Sequence, residues 1–135
     1  MIAALIGISA LAAAAQFVYY CRSTLASTRN TKPSAHVLRV VGLESGRPNP
    51  GDFERFVELA RLCPAQGKDA TQIQGVASYY RLLRFVGRLL DRPLPAVSSW
   101  ARQEQRACSH FAAVVLDRRI ASSRGLFLER AIDRP

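Results

Sequence analysis

Hydrophobic and polar positions divide this chain of 135 residues into an uncharged N-terminal segment and a body of amphipathic stretches. Residues 1–21 (MIAALIGISALAAAAQFVYYC) carry no charged side chain, and only Ser9 and Gln16 are conspicuously polar. Twenty helical residues at about 1.5 Å each span about 30 Å, which is the thickness of the hydrocarbon core of a membrane. The pattern therefore predicts a transmembrane anchor over residues 1–21.

Aromatic side chains followed by a base close this segment, as is typical of a membrane–water boundary. The predicted membrane-interface residues are Phe17, Tyr19, Tyr20 and Arg22. A cleaved signal peptide is the main alternative, because the alanines at 12–15 suit a signal peptidase. The absence of a base before the apolar run favours the uncleaved anchor. A buried helix of a soluble protein is the third interpretation.

Residues 22–50 are interpreted as a basic juxtamembrane linker. Their first part, 22–35, is rich in Ser, Thr and Asn, which favour turns and irregular structure. The apolar side chains of Val37, Leu38, Val40 and Val41 then predict one short helix after Ser34. A strand is the alternative, because three of these four residues are β-branched. Residues 44–51 (ESGRPNPG) are predicted to form a loop.

A helix start follows at Asn49-Pro50-Gly51-Asp52. Asn is a favoured cap, Pro fits the first helical turn, and an acid complements the positive end of the helix dipole. The helix ends at Cys63, because a residue before proline leaves the helical region. Its predicted buried face is formed by Phe53, Phe56, Val57 and Ala60.

A longer helix is predicted from Asp69 to about Leu90. Its apolar stripe consists of Ile73, Val76, Tyr80, Leu83 and Leu90, and it is widened by Tyr79, Leu82, Val86 and Leu89. Three bases line the other side of this helix and form a candidate basic interaction stripe, namely Arg81, Arg84 and Arg88. A rigid break follows at residues 91–95.

The third helix is predicted to begin with a cap at Ser98 and to run to about Ser122, with residues 126–132 left for a last short turn or helix. Its predicted buried face comprises Trp100, Ala101, Ala107, Cys108, Phe111, Ala112 and Val115. No segment alternates convincingly with period two. The predicted fold is therefore all-α, with one N-terminal transmembrane helix followed by a small bundle of three main helices over residues 51–135.

The charges all lie on one side of the predicted span. The chain has 19 Lys and Arg against 10 Asp and Glu, a net charge of +9, and every one of these residues lies at or after Arg22. The positive-inside rule therefore predicts that the N-terminus is outside and that the C-terminal body is cytoplasmic.

Residues that could carry catalysis are few and scattered. Neither His36 nor His110 belongs to a metal-binding motif, and the three cysteines, Cys21, Cys63 and Cys108, form no Cys-x-x-Cys pair. Cys21 at the membrane edge is a conceivable acylation site. Asp117-Arg118-Arg119 is interpreted as the polar face of a helix with local ion pairs. No catalytic residue, cofactor or metal is predicted, and the chain is not expected to be an enzyme.

The combined pattern favours a single-pass, membrane-anchored helical protein that acts as a non-catalytic interaction or regulatory module at the cytoplasmic face of the membrane. Its expected partners are the membrane itself, through the N-terminal helix, and a protein of unknown identity, while acidic lipid is a further candidate. An Arg-rich nucleic-acid-binding module and a secreted protein formed by signal-peptide cleavage are the alternatives, and nucleic acid is the weaker candidate ligand.

Overall fold

A computed structural model of the protein describes residues 1–40, 49–65 and 67–132, without the side chain of Val40. Within these ranges the chain forms five α-helices, one 3-10 turn over Pro50–Asp52 and no strand. The helices are α1 (Ile2–Thr28), α2 (Ala35–Val40), α3 (Phe53–Leu62), α4 (Asp69–Leu90) and α5 (Pro95–Ile132). The all-α prediction is confirmed, and Val37 lies in a short helix rather than a strand. Val41 and the predicted loop at 44–48 lie outside the described residues.

The first body helix, α3, follows its sequence pattern closely. The Asn49 backbone N–H donates to the Asp52 carboxylate at 2.9 Å, which fixes the start of the helix. At its other end Cys63 leaves the helix with φ −92° and ψ 143°, as the following proline requires. The predicted face is buried in full, namely Phe53, Phe56, Val57 and Ala60.

Aromatic packing attaches the start of α3 to the middle of α4. The ring of Phe53 stacks on Tyr80 with centroids 4.3 Å apart, and the Tyr80 hydroxyl donates to the Pro50 carbonyl oxygen. Burial raises the pKa of Tyr80, so the hydroxyl keeps the proton that it donates in this hydrogen bond. These two contacts join the start of α3 to α4, while the length of α3 packs on α5.

The predicted start and end of the third helix are wrong, because α5 is longer than predicted in both directions. It begins at Pro95, since proline lacks the N–H that a first helical turn leaves unpaired. Ser98 is buried inside the helix and donates to the Asp91 carboxylate at 2.7 Å. The helix also continues through Ser123. Its hydroxyl donates to the Arg119 carbonyl oxygen at 2.9 Å within the helix, so it does not compete with the helical hydrogen bonds from outside.

The helix α1 reaches Thr28 and passes the predicted end of the anchor at residue 21. Residues 1–16 are exposed, whereas Phe17 and Val18 are half-buried and Cys21 and Leu25 belong to the core of the body. One continuous helix therefore supplies both an exposed apolar segment and a packed segment.

Contacts between the helices define the direction of α1. The Phe17 ring meets the edge of Tyr79 at a centroid distance of 6.4 Å, and the Cys21 sulfur lies 3.9 Å from the Gly75 carbonyl oxygen. The later residue of α1, Cys21, thus contacts the earlier residue of α4, Gly75, so these two helices are antiparallel. Since α4 and α5 form an antiparallel hairpin, α1 runs parallel to α5.

A short connection holds α2 on the far part of α5. The Ser34 backbone N–H and hydroxyl both donate to the Asp117 carboxylate, at 3.1 Å and 2.6 Å. Val37 is fully buried beneath this contact. Because both donors come from one residue, Asp117 fixes the start of α2 with two charge-assisted hydrogen bonds.

We predict that Leu25→Ala lowers the free energy of unfolding by about 2–3 kcal/mol, because it removes a buried leucine side chain from the core. The matched control is Leu11→Ala in the same helix, where the side chain is 73% exposed and not 6% exposed as at Leu25. Urea unfolding in mild detergent, followed by the fluorescence of the single tryptophan, Trp100, measures both variants. Equal effects of the two substitutions would show that residues 17–28 are not part of the core.

Candidate interaction surfaces

The exposed part of α1 is the first candidate surface. Among the described helices, α1 alone is long enough and apolar enough to cross a membrane. Its large apolar side chains point away from the body along the first three turns, namely Ile2, Leu5, Ile6, Ile8 and Leu11. In water such a surface would be costly, so it calls for a nonpolar environment.

The predicted membrane-interface residues separate into two groups. Tyr19 and Tyr20 are exposed, as a boundary position would require. Phe17 instead turns inward onto Tyr79, and the Arg22 Nε lies 3.8 Å from the Glu104 carboxylate. One side of this turn of α1 therefore contacts the body, and the other side exposes the rings of Tyr19 and Tyr20.

The candidate basic stripe is exposed on α4, but its three members have different surroundings. Arg84 Nη1 lies 2.8 Å from the Glu54 carboxylate of α3. Arg81 lines a cleft between the helices. Arg88 has no ion pair with any described residue and is the most available of the three for an external anion.

A second apolar surface lies on α4 beside the basic stripe of Arg81, Arg84 and Arg88. Gly75, Leu82 and Leu89 are seven residues apart and share one face of α4, so the face that contacts α1 continues beyond the contact. Leu82 and Leu89, which widen the predicted apolar stripe, are exposed there because α1 no longer covers them. Val86 is half-buried.

The connection between α4 and α5 extends this apolar surface. Trp100 was expected in the core but is 37% exposed, and Phe85 is 64% exposed. Trp100 lies near the start of α5, outside the part of the helix that α1 and α3 cover. We call this surface the hairpin end and define it by Leu82, Phe85, Leu89, Leu94 and Trp100, all of them exposed.

A cleft of about 740 Å³ lies between α3, the turn that follows it, α4 and α5. Three bases line it, Arg61, Arg81 and Arg119, and no Asp or Glu belongs to its lining in the part of the chain that the structure describes. Val57 and Ile73 contribute apolar surface, and Cys63 lies at its edge. The cleft is thus both cationic and partly apolar.

Arg119 does not lie on a solvated polar face, as its sequence context suggests. It is 4% exposed, and its Nη1 donates to the Ala60 carbonyl oxygen at 2.6 Å. Its Nε is buried and has no hydrogen-bond partner among the described residues. Arg118 is exposed and 3.8 Å from Asp69, so only this neighbour matches the predicted ion-paired surface.

Spacing along α5 contains the signal that locates Arg119. Cys108, Ala112, Val115 and Arg119 follow one another at intervals of four, three and four residues, which is the period of one helix face. The first three are buried. Extending the apolar stripe by one more step therefore points to a buried arginine.

The remaining reactive groups are buried or half-buried. Burial raises the pKa of the Cys108 thiol to about 12, raises the pKa of Tyr79 and lowers the pKa of His110. Cys21 is buried as well, so this packing closes it to acylation. The rings of Tyr79 and Tyr80 are buried, so the bases of a nucleic acid cannot stack on them. No group of three or more potential metal ligands occurs among the described residues.

We predict that one cysteine in three reacts quickly with a maleimide in the folded protein. Cys63 is half-exposed, whereas Cys21 and Cys108 are buried, and the thiolate that reacts is disfavoured at Cys108 by its raised pKa. Mass spectrometry of intact protein in mild detergent should show one adduct, and three after denaturation. The variant Cys63→Ser should show none before denaturation, and a fast adduct in this variant would contradict the packing of α1.

Comparison of the chain with protein-family models, with curated proteins and with solved structures finds no match. The surfaces described above therefore provide the basis for a functional proposal.

Proposed function

We propose that the protein is a single-pass, membrane-anchored helical module that binds other molecules at the cytoplasmic membrane face and has no catalytic role. The observation that carries this proposal is the division of α1 into an exposed apolar part, residues 1–16, and a part packed in the core, Phe17 to Thr28. A helix shared in this way attaches the body to the membrane without a flexible joint.

The length of the exposed part supports a close approach of the body to the membrane. Residues 2–16 of α1 extend for about 22 Å, which is less than the roughly 30 Å of a hydrocarbon core. The span must then include the turn with Phe17 and Tyr20. Because Phe17 packs on Tyr79, this level of the body lies at the membrane boundary.

The hairpin end lies beyond that level, on the membrane side. From Tyr79 to Leu90, α4 continues for 11 residues, or about 16 Å, in the direction of the α1 N-terminus. Because α1 no longer covers Leu82 and Leu89, the two helices diverge here and only part of this length is directed into the membrane. The exposed Phe85, Leu89 and Trp100 then suit the boundary region, where aromatic and leucine side chains find a nonpolar environment. We infer that the hairpin end enters the lipid surface beside α1.

Nearby bases favour acidic lipid as the partner of this surface. Arg88 and Arg92 are exposed on the same hairpin. Long arginine side chains can extend along apolar surface and place their charge among phosphate groups. Each such base near an acidic membrane surface contributes about 1 kcal/mol of attraction.

The opposite end of α5 is the proposed site for a protein partner. Since α5 runs parallel to α1, its last three turns point away from the anchor. Four apolar side chains are exposed there, namely Leu126, Phe127, Leu128 and Ile132. An unpartnered apolar helix end of this kind is typical of a protein contact.

Two alternatives remain as outcomes of experiment. Cleavage near residue 15 would remove the exposed part of α1 and keep all of its packed part, so a secreted body could retain the same core. A nucleic-acid-binding role would draw on the same exposed arginines, and salt would weaken such binding steeply because phosphate contacts release counterions.

We expect the intact chain, still beginning at its first residues, to remain in membranes after washing at high pH and to require detergent for release. In intact cells an impermeant maleimide should leave Cys63 unmodified, and permeabilisation should allow its reaction, because the body is cytoplasmic. Cys63→Ser serves as the labelling control.

Each contrary result has a separate meaning. Recovery without detergent would overturn the anchor, and a mature chain beginning near residue 16 would support the secreted form. Labelling of Cys63 in intact cells would reverse the orientation.

We expect brominated lipid to quench the fluorescence of Trp100 in reconstituted vesicles, because the hairpin end contacts lipid. The matched control carries Trp100→Phe together with Phe127→Trp, which moves the single tryptophan to the distal end of α5, where quenching should be absent. Quenching in wild-type protein should increase with acidic lipid, and Arg88→Gln with Arg92→Gln should reduce that increase. Equal quenching at both tryptophan positions, or none at Trp100, would contradict the lipid contact.

A further inference from the structure

We propose that the cleft between α3, α4 and α5 binds a small organic anion, with its phosphate or carboxylate on Arg119 and its apolar part against Val57 and Ile73. The cleft volume of about 740 Å³ falls within the range of small-molecule sites. This inference does not depend on membrane attachment, because no residue of α1 lines the cleft.

The first argument is the distribution of counter-charges. Some exposed arginines have carboxylate neighbours, as Arg84 has Glu54 and Arg118 has Asp69, while those without one, such as Arg88, keep their charge in water. Arg119 is the most buried arginine described and has no carboxylate within ion-pair distance among the described residues. A buried charge is costly without a partner, so an anion bound in the cleft would stabilise Arg119.

The second argument is the hydrogen bonding of the Arg119 guanidinium group. Its Nη1 is taken by the Ala60 carbonyl oxygen at 2.6 Å, which holds the group in place. Its Nε is buried without a partner. A planar guanidinium fixed on one side and unsatisfied at Nε is prepared for an oxygen acceptor, and carboxylates and phosphates match its fork geometry.

The third argument is the lining on either side of Arg119. Arg61 and Arg81 are exposed at the rim and add positive charge there, while Val57 and Ile73 are buried and apolar. A bare inorganic ion would use only the cationic part of this surface. An anion with an alkyl or aryl group would use both parts, so the lining favours an amphipathic ligand.

Butyl phosphate, butyrate, inorganic phosphate and butanol are suitable probes for the full chain in non-ionic detergent. Butyl phosphate or butyrate should raise the thermal unfolding midpoint and slow the modification of Cys63, which lines the same cleft. Inorganic phosphate should bind about tenfold more weakly than butyl phosphate, which corresponds to about 1.4 kcal/mol of apolar contact. Butanol should have no effect.

Two variants and one control locate the binding. Arg119→Lys keeps the charge but removes the fork, and Arg81→Gln removes an exposed rim charge without touching the core; each should weaken butyl phosphate binding about tenfold. Arg55→Gln alters an exposed arginine of α3 outside the cleft and should bind like wild type. If Arg119→Lys does not fold, Arg81→Gln with the Cys63 protection assay provides the test.

The contrary outcomes are equally definite. If no probe shifts the midpoint or protects Cys63, the site is overturned. If inorganic phosphate binds as tightly as butyl phosphate, the amphipathic ligand is overturned. If Arg81→Gln and Arg55→Gln weaken binding equally, the anions bind the general positive charge of the protein and not the cleft.

Discussion

The packing of one helix into two environments is the constraint on which the rest of the structure depends. Cys21 and Leu25 of α1 fill the core beside α4 and α5, while the same helix continues outward as an apolar rod. Because an α-helix is stiff over this length, the direction of this apolar segment fixes which end of the body would face the membrane in the proposed function. The positions of the hairpin end and of the distal end of α5 follow from that direction.

Periodicity predicts which positions of a helix are apolar, and it does not reveal what covers them. In α3 the apolar face and the buried face are the same, because a single face packs on α4 and α5 and all four predicted residues are buried. In α4 the apolar face and the buried face differ, because Tyr79 is covered by protein while Leu82 and Leu89 are exposed. The apolar stripe of α4 is therefore wider than its buried face, and the exposed remainder forms a surface.

The candidate cleft was less accessible to prediction for a different reason. Arginine is rarely buried, so a sequence pattern assigns Asp117-Arg118-Arg119 to solvent as one unit. Only the fold shows that these three residues have different partners, namely Ser34 for Asp117, Asp69 for Arg118 and the end of α3 for Arg119. The cleft requires the turn between α3 and α4 to stand next to α5, and this proximity depends on tertiary packing.

The contact with α1 and the proposed ligand cleft use different faces of α4. Gly75 faces α1, whereas Ala77, two residues later, lines the cleft, and two residues of helix correspond to a rotation of about 200°. A ligand in the cleft would therefore contact α3, α4 and α5 while the packing of α1 stays unchanged. In the proposed function the anchor would hold the body at the membrane whether the cleft is filled or empty, so any effect of the ligand on a partner would be transmitted through α3 or α5 and not through release from the membrane.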